Sequence, residues 1–177
     1  MAEQLMVPNY SDALIARILR SVKTIAMVGA SPNPVRPSYF AMKYLSDKGF
    51  HIIPVNPGQA GKEILGERVY ARISDLPAPV DMIDIFRNSE AAGPITDEAI
   101  ANKDRLSLKV IWMQLGVINE EAAKRAEAVG LTVIMNRCPK IEYGRLSGEI
   151  GWYGVNRRTI DNRRPFAFSQ GGSLRRE

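Results

Sequence analysis

The chain has one cysteine and one histidine. A single cysteine excludes an internal disulfide, and Cys138 with His51 cannot build a cysteine- or histidine-based metal cage. No apolar run reaches the roughly 18–20 residues that a membrane helix needs. Residues 1–10 lack the basic-then-apolar plan of a secretory leader, so a cytoplasmic protein is expected. Three nucleotide fingerprints are missing as well. Ser31 stands where G-x-G-x-x-G requires its second glycine. Asn56-Pro57 stands where an NAD ribose needs an acid, and no G-x-x-x-x-G-K-[ST] phosphate loop occurs. NAD is therefore disfavoured, and nucleotide hydrolysis more so.

What remains is ordinary globular composition: 177 residues, 45% hydrophobic and 24% charged, enough for one domain with a real core. The net charge of +5 is unevenly placed. From Gly144 to Glu177, seven arginines face three acids, a net +4, which leaves +1 on the rest. The expected division is a body over residues 1–143 and a basic C-terminal extension over 144–177. Apolar anchors in the extension (Ile150, Trp152, Tyr153, Phe166) suggest partial packing on the body or on a second copy of the chain, a homodimer. Its last residues read as disordered.

Along the body, apolar runs alternate with helical patterns. Ser11 reads as the cap of a leading helix that carries Leu14, Ile15, Ile18, Leu19 and Val22 on one face. Five strands follow at 24–28, 50–55, 82–86, 109–113 and 131–135. They lack polar alternation, as strands buried on both faces do. Helices are expected at about 38–48, from Pro94 to about Asn102 with Pro94 in the first turn, and after Asn119 as cap with Gly130 past the end. Strict alternation predicts an α/β fold, a Rossmann-like three-layer sandwich on a mostly parallel five-stranded sheet.

Ligands of such sheets bind beyond the carboxyl ends of the strands, where strand order reverses. With the first strand central, the crevice is expected between strands one and four, at Gly29-Ala30-Ser31 and Gln114-Leu115-Gly116. Gly29 permits a tight turn beside a ligand. The helix N-terminus that follows can hold a phosphate, with Ser31, Ser38 and Arg36 as further donors. A glycine after a first strand is also common for packing alone, and the serines also serve as caps. His51, at the start of strand two, lies far from this edge and reads as structural. Asp84, inside a buried strand, needs a hydrogen-bond partner. No Ser-His-Asp set or carboxylate pair is present.

Several segments occur in a telling order: Gly29-Ala30-Ser31 with Arg36, Pro54-Val55-Asn56-Pro57, Ile64-Leu65-Gly66 with Val69-Tyr70, Asp81 to Arg87, Trp112 to Gly116, and Asn136-Arg137-Cys138-Pro139-Lys140. In this order the chain, over about residues 10–143, resembles the small stand-alone CoA-binding proteins. These are similar to the CoA-binding N-terminal domain of the succinyl-CoA synthetase alpha subunit. The resemblance implies that Gly29, Ala30, Ser31 and Arg36 hold the phosphates of coenzyme A. Val55, Asn56 and Pro57 would flank the adenosine, with Tyr70 on the same side, and Phe86 and Arg87 beside the nucleotide. Gln114, Leu115 and Gly116 would guide the pantetheine. The synthetase pattern has a lysine soon after this Pro-Gly. Here Gln59 follows Gly58, so Arg36, Lys62 and Arg72 are all candidates for the 3′-phosphate. The phosphorylated histidine of a second synthetase domain and the beta subunit are not in this sequence, which argues against acyl-CoA ligation.

Cys138 reads in two ways. It is a small buried apolar side chain, or a thiol near the pantetheine thiol able to form a mixed disulfide, with Arg137 and Lys140 lowering its pKa. The function expected is binding of CoA or an acyl-CoA as a non-catalytic carrier, sensor or subunit. The alternatives are an NAD(P)-dependent oxidoreductase on the same fold and nucleic-acid binding through the arginine tail.

Overall fold

In the computed structural model, which describes residues 8–148, Ser11 caps the leading helix α1 (Asp12–Ser21) by accepting the Leu14 N–H at 3.2 Å. Ile15, Ala16, Ile18 and Leu19 form its buried face. Strand β1 (Thr24–Val28) follows, then α2 (Pro37–Asp47) and β2 (His51–Val55). The mixed stretch after β2 folds as two 3₁₀ turns around a small antiparallel hairpin, β3 (Glu63–Ile64) and β4 (Glu67–Arg68). Next come β5 (Met82–Ile85), α3 (Ser89–Ala101), the short α4 (Lys103–Leu106) and β6 (Val110–Met113). The series ends with α5 (Glu120–Ala128), β7 (Thr132–Ile134) and α6 (Pro139–Leu146). The rest of the expected extension, with its anchors and its terminal stretch, lies outside the described residues.

Five strands pair in the order β2-β1-β5-β6-β7, all parallel. Successive strand residues face opposite sides, and two cores result. Ile25, Met27, Ile52, Met82, Trp112 and Ile134 pack beneath α1, α2 and α6. Ala26, Ile53, Ile83, Ile85, Ile111 and Val133 pack against the alanine faces of α3 and α5. Strands buried on both faces thus explain the unbroken apolar runs in the sequence. The starts of three strands are tied by one residue. The Asp81 carboxylate accepts the N–H groups of Lys23 (2.9 Å) and Thr24 (3.1 Å), and Lys109 Nζ lies 2.7 Å away. Burial alone would raise its pKa. The hydrogen bonds from Lys109, Thr24 and Lys23 outweigh it and hold the carboxyl below its ordinary value.

Two expectations are corrected. The strand order places the third strand, β5, next to β1, so the point of reversal lies between β1 and β5, not between the first and fourth strands. The physical cause is that only β2 is laid on one side of β1. The chain then crosses back once and adds its remaining strands outward in sequence order. Pro94 also does not open its helix. It is the sixth residue of α3, which Asn88 starts by accepting the Ala91 N–H at 2.8 Å. The missing Pro94 N–H costs one backbone bond inside the helix. The Asn119 cap and the positive φ of Gly130 are as expected.

Candidate functional site

The end of β1 meets the end of β5 closely. Gly29 has φ +90°, a backbone state that side chains disfavour, and its N–H donates to the Val55 carbonyl at 2.9 Å. A Cβ at this position would collide with the Phe86 carbonyl and press on Arg87 Cδ. The loop beyond Gly29 organises itself. Ser31 Oγ accepts the Asn33 N–H at 3.2 Å, and Asn33 Oδ1 accepts the Val35 N–H at 3.1 Å. These turns deliver Arg36 to the N-cap of α2, where its side chain makes no capping bond, and Pro37 to the first turn. The positive end of α2 therefore opens toward the point of reversal.

The second loop is clamped to the first. Asn56 Nδ2 donates to the Ala30 carbonyl at 2.8 Å, while its Oδ1 accepts the Gly58 N–H at 2.9 Å. This asparagine spends its amide on backbone. Beyond β6, the Gly116 N–H donates to Asn136 Oδ1 at 2.8 Å, and the Trp112 indole donates to the Arg137 carbonyl at 2.8 Å. These bonds join the third loop, Gln114 to Val117, to the turn that starts α6 at Cys138.

Between these loops lies a cleft of about 1040 Å³. Arg36, Arg87 and Lys140 line it, and no Asp or Glu does. Arg36 and Arg87 are exposed and form no ion pair among the described residues. The apolar part of the lining is open to solvent: Val35 is 77% exposed, Leu115 57%, Phe40 54% and Ile141 43%. The cleft thus offers cations at a helix N-terminus together with unburied apolar walls. Such a site suits an elongated anionic ligand with an apolar arm.

Gln114 and Cys138 sit in its inner wall, with Asp84 buried behind Gln114. Gln114 Nε2 donates to both Asp84 oxygens, at 2.9 and 3.1 Å. Asp84 is fully buried, and burial pushes its pKa up to about 8 although the Gln114 bond pulls the other way. Cys138 is also buried, and burial raises its thiol above the ordinary value, with the Asp84 charge adding to the rise. Lys140 acts in the opposite sense and is outweighed. The expected lowering by Arg137 does not occur. Its guanidinium donates to the Pro8 and Asn136 carbonyls and lies over the Tyr10 ring.

Of the residues singled out in the sequence, ten line this cleft: Gly29, Ser31, Arg36, Ser38, Asn56, Phe86, Arg87, Gln114, Leu115 and Cys138. Five do not. Ala30 is buried and contributes its carbonyl to the Asn56 clamp. Val55 ends β2 inside the core, and Pro57 opens the 3₁₀ turn behind it. Tyr70 bridges to Val55 at the sheet edge with Arg68 over its ring, and Gly116 serves the loop clamp. His51 stands at the start of β2, exposed, 3.4 Å from Glu67. Sequence reasoning missed Val35, Pro37, Phe40, Ala41, Asn88, Val117, Lys140 and Ile141 as lining residues. Phe40 had a usable signal: a large apolar side chain in the first turn of a helix, off the core face that carries Ala41, Met42, Tyr44 and Leu45.

A model of the CoA binding domain matches residues 23–144, more than half of the chain. The uncharacterized protein YneT of Bacillus subtilis is 36% identical over 135 residues, covering 76% of this chain and 96% of that protein. A hypothetical protein from Pyrococcus horikoshii is 35% identical, with a TM-score of 0.72 over 82% of this chain and 98% of its own. A dinucleotide forming acetyl-coenzyme A synthetase from Ca. Korarchaeum cryptofilum shares the fold alone, at 24% identity and a TM-score of 0.56, over 67% of this chain and 27% of that one. The matched segment runs from the strand that delivers Gly29 to the helix that delivers Lys140, and on it the chain belongs to the CoA-binding domain family.

Proposed function

We propose that the cleft binds coenzyme A or an acyl-CoA, and that the chain acts as a carrier, sensor or subunit without chemistry of its own. The observation that carries this reading is the charge of the lining: Arg36 at the N-cap of α2, with Arg87 after β5 and Lys140 in α6, and no carboxylate. Phosphate groups would lie against Gly29, Ser31, Ser38 and Arg36, where two hydroxyls, a guanidinium and the N-terminus of α2 line the same cleft. Arg87 and Lys140 are within the same lining and supply further positive charge. The pantetheine arm would run past Gln114 and Leu115 toward Cys138, over apolar side chains that otherwise stand in water. Adenosine near Asn56 fits the remaining end, with Val55, Pro57 and Tyr70 as support behind the loop rather than as contacts. No helix among the described residues is long and apolar enough to cross a membrane.

Calorimetry with CoA, 3′-dephospho-CoA and NADP⁺ tests the proposal. Micromolar or tighter binding of CoA is expected, weaker binding of dephospho-CoA, and little heat with NADP⁺. A clear NADP⁺ signal without a CoA signal would overturn it.

A further inference from the structure

Asp84 has no need to be an acid for packing. It stands in the centre of the sheet, beside Met27 on β1 and Trp112 on β6, and is fully buried. Among the described residues it forms no ion pair, and its side-chain hydrogen bonds are the two from Gln114 Nε2. Gln114 is itself 6% exposed and lines the cleft, and no described residue donates to its Oε1. A carboxamide has a donor end and an acceptor end. Here the donor end is turned to Asp84, which leaves the acceptor end for the cleft. That arrangement suits an ionised Asp84, which only accepts. A protonated Asp84 carries an O–H that needs an acceptor, and the Gln114 amide supplies one when it turns over. Its N–H₂ then faces the cleft.

We propose that Asp84 is a positioning residue that sets the hydrogen-bonding sense of Gln114, so that the cleft offers a donor to a ligand carbonyl when Asp84 holds its proton and an acceptor when it does not. This rests on the CoA reading, since an extended arm with amide or thioester carbonyls is what the donor state would recognise. The direction of the coupling follows from physics. A polyanionic ligand that dries the cleft makes the charged carboxylate costlier, so binding and protonation favour each other. The burial that raises the Asp84 pKa to about 8 puts the exchange within reach of ordinary buffers.

Neighbouring groups that could imitate this behaviour are few. The flanking strands β1 and β6 hold no titratable side chain. From α6 come Cys138, whose thiol feels the Asp84 charge, then Lys140, the buried phenol of Tyr143, and Glu142 paired to Arg145. From α2 come Arg36, the phenols of Tyr39 and Tyr44, the exposed Lys43–Asp47 pair, and Lys48 over the Tyr44 ring. Asp12 on α1 is held by Arg145, and Arg87 follows β5. Cys138 is therefore the control that matters.

The test is the affinity of acetyl-CoA, whose sulfur does not titrate, from about pH 6.5 to about pH 9. In the full chain affinity is expected to fall roughly three- to tenfold across this range, the worth of about one hydrogen bond. Asp84→Asn should remove the fall, and Cys138→Ser should keep it. Equal profiles in the full chain and Asp84→Asn, or loss of the profile in Cys138→Ser, would overturn the proposal. If acetyl-CoA and CoA both fail to bind, the CoA reading fails instead. The side-chain amide resonances of Gln114 then decide. A pH-dependent shift with a midpoint near that of Asp84, lost in Asp84→Asn, sustains the coupling, and resonances that stay still overturn it.

Discussion

Three side chains in or behind the cleft are set by their surroundings rather than by their type. Arg36 is exposed at the N-cap of α2 with no described ion-pair partner. A phosphate there gains a charge-assisted bond, so Arg36→Ala should weaken CoA binding by about 1–3 kcal/mol in calorimetry while the fold is unchanged. Asp84 is the reverse case, an acid whose charge the fold resists. Its folded pKa is raised from the ordinary 3.8 to about 8, so the neutral form is favoured by folding. That contribution is complete below the ordinary value and is lost as pH rises through the folded value. Asp84→Asn should therefore gain stability over the parent as pH rises from about 4 to about 8, by at most about 1.4 kcal/mol per pH unit, and the gain should level off above. Urea unfolding at three pH values checks this, and a constant difference would refute it. Cys138 is also held back by burial. Its alkylation by iodoacetamide in native protein near neutral pH should be about tenfold or more slower than that of a free thiol, and urea should restore it.

At the scale of elements, the loops after β1, β2, β5 and β6 behave as one clamped unit. Gly29 is held between the ends of β2 and β5, Asn56 ties the second loop to the first, and Asn136 ties the third loop to the start of α6. Gly29→Ala should fail through backbone collision with Phe86 rather than through any lost ligand contact. Lowered thermal stability without ligand, alongside weaker binding, is the expected outcome. The opposite end of the sheet depends on Asp81, which collects Lys23, Thr24 and Lys109. Its lowered pKa gives stability that is present above the ordinary value of 3.8 and lost as pH falls through the folded value. Asp81→Ala leaves two strand-start N–H groups without their acceptor. It should lower stability by about 1–3 kcal/mol at neutral pH, with faster amide exchange at Thr24.

For the whole molecule, the arrangement of strands decides where the cleft opens. The order β2-β1-β5-β6-β7 puts the reversal between β1 and β5, and the loops of four strands and the start of α6 meet there. Ligand bound across them links every element around the cleft. CoA at about a hundredfold over its Kd should therefore raise stability by about 2.7 kcal/mol, visible as a concentration-dependent rise in Tm. A Tm that ignores CoA would count against the proposed function.

The sequence by itself determined the α/β alternation, the helix caps at Ser11 and Asn119, the burial of the five apolar strands, and Gly29, Ser31, Arg36, Ser38, Gln114 and Leu115 of the cleft, while Asn56, Phe86 and Arg87 came only with the family resemblance. These are legible because period, capping and turn chemistry are local. The ordered motifs also pointed to the family. Pro94 shows the limit of local reading: proline favours a first turn, and the Asn88 cap with the packing of α3 on α5 overrode it. Only the tertiary structure decided that β5, not the fourth strand, lies beside β1, because strand order depends on which side each crossover takes. It alone brought Phe40, Lys140 and Ile141 into one lining from separate helices, and set the pKa directions of Asp84 and Cys138. Burial depends on what packs around a side chain, and residues close in sequence, such as Arg137, are free to point elsewhere.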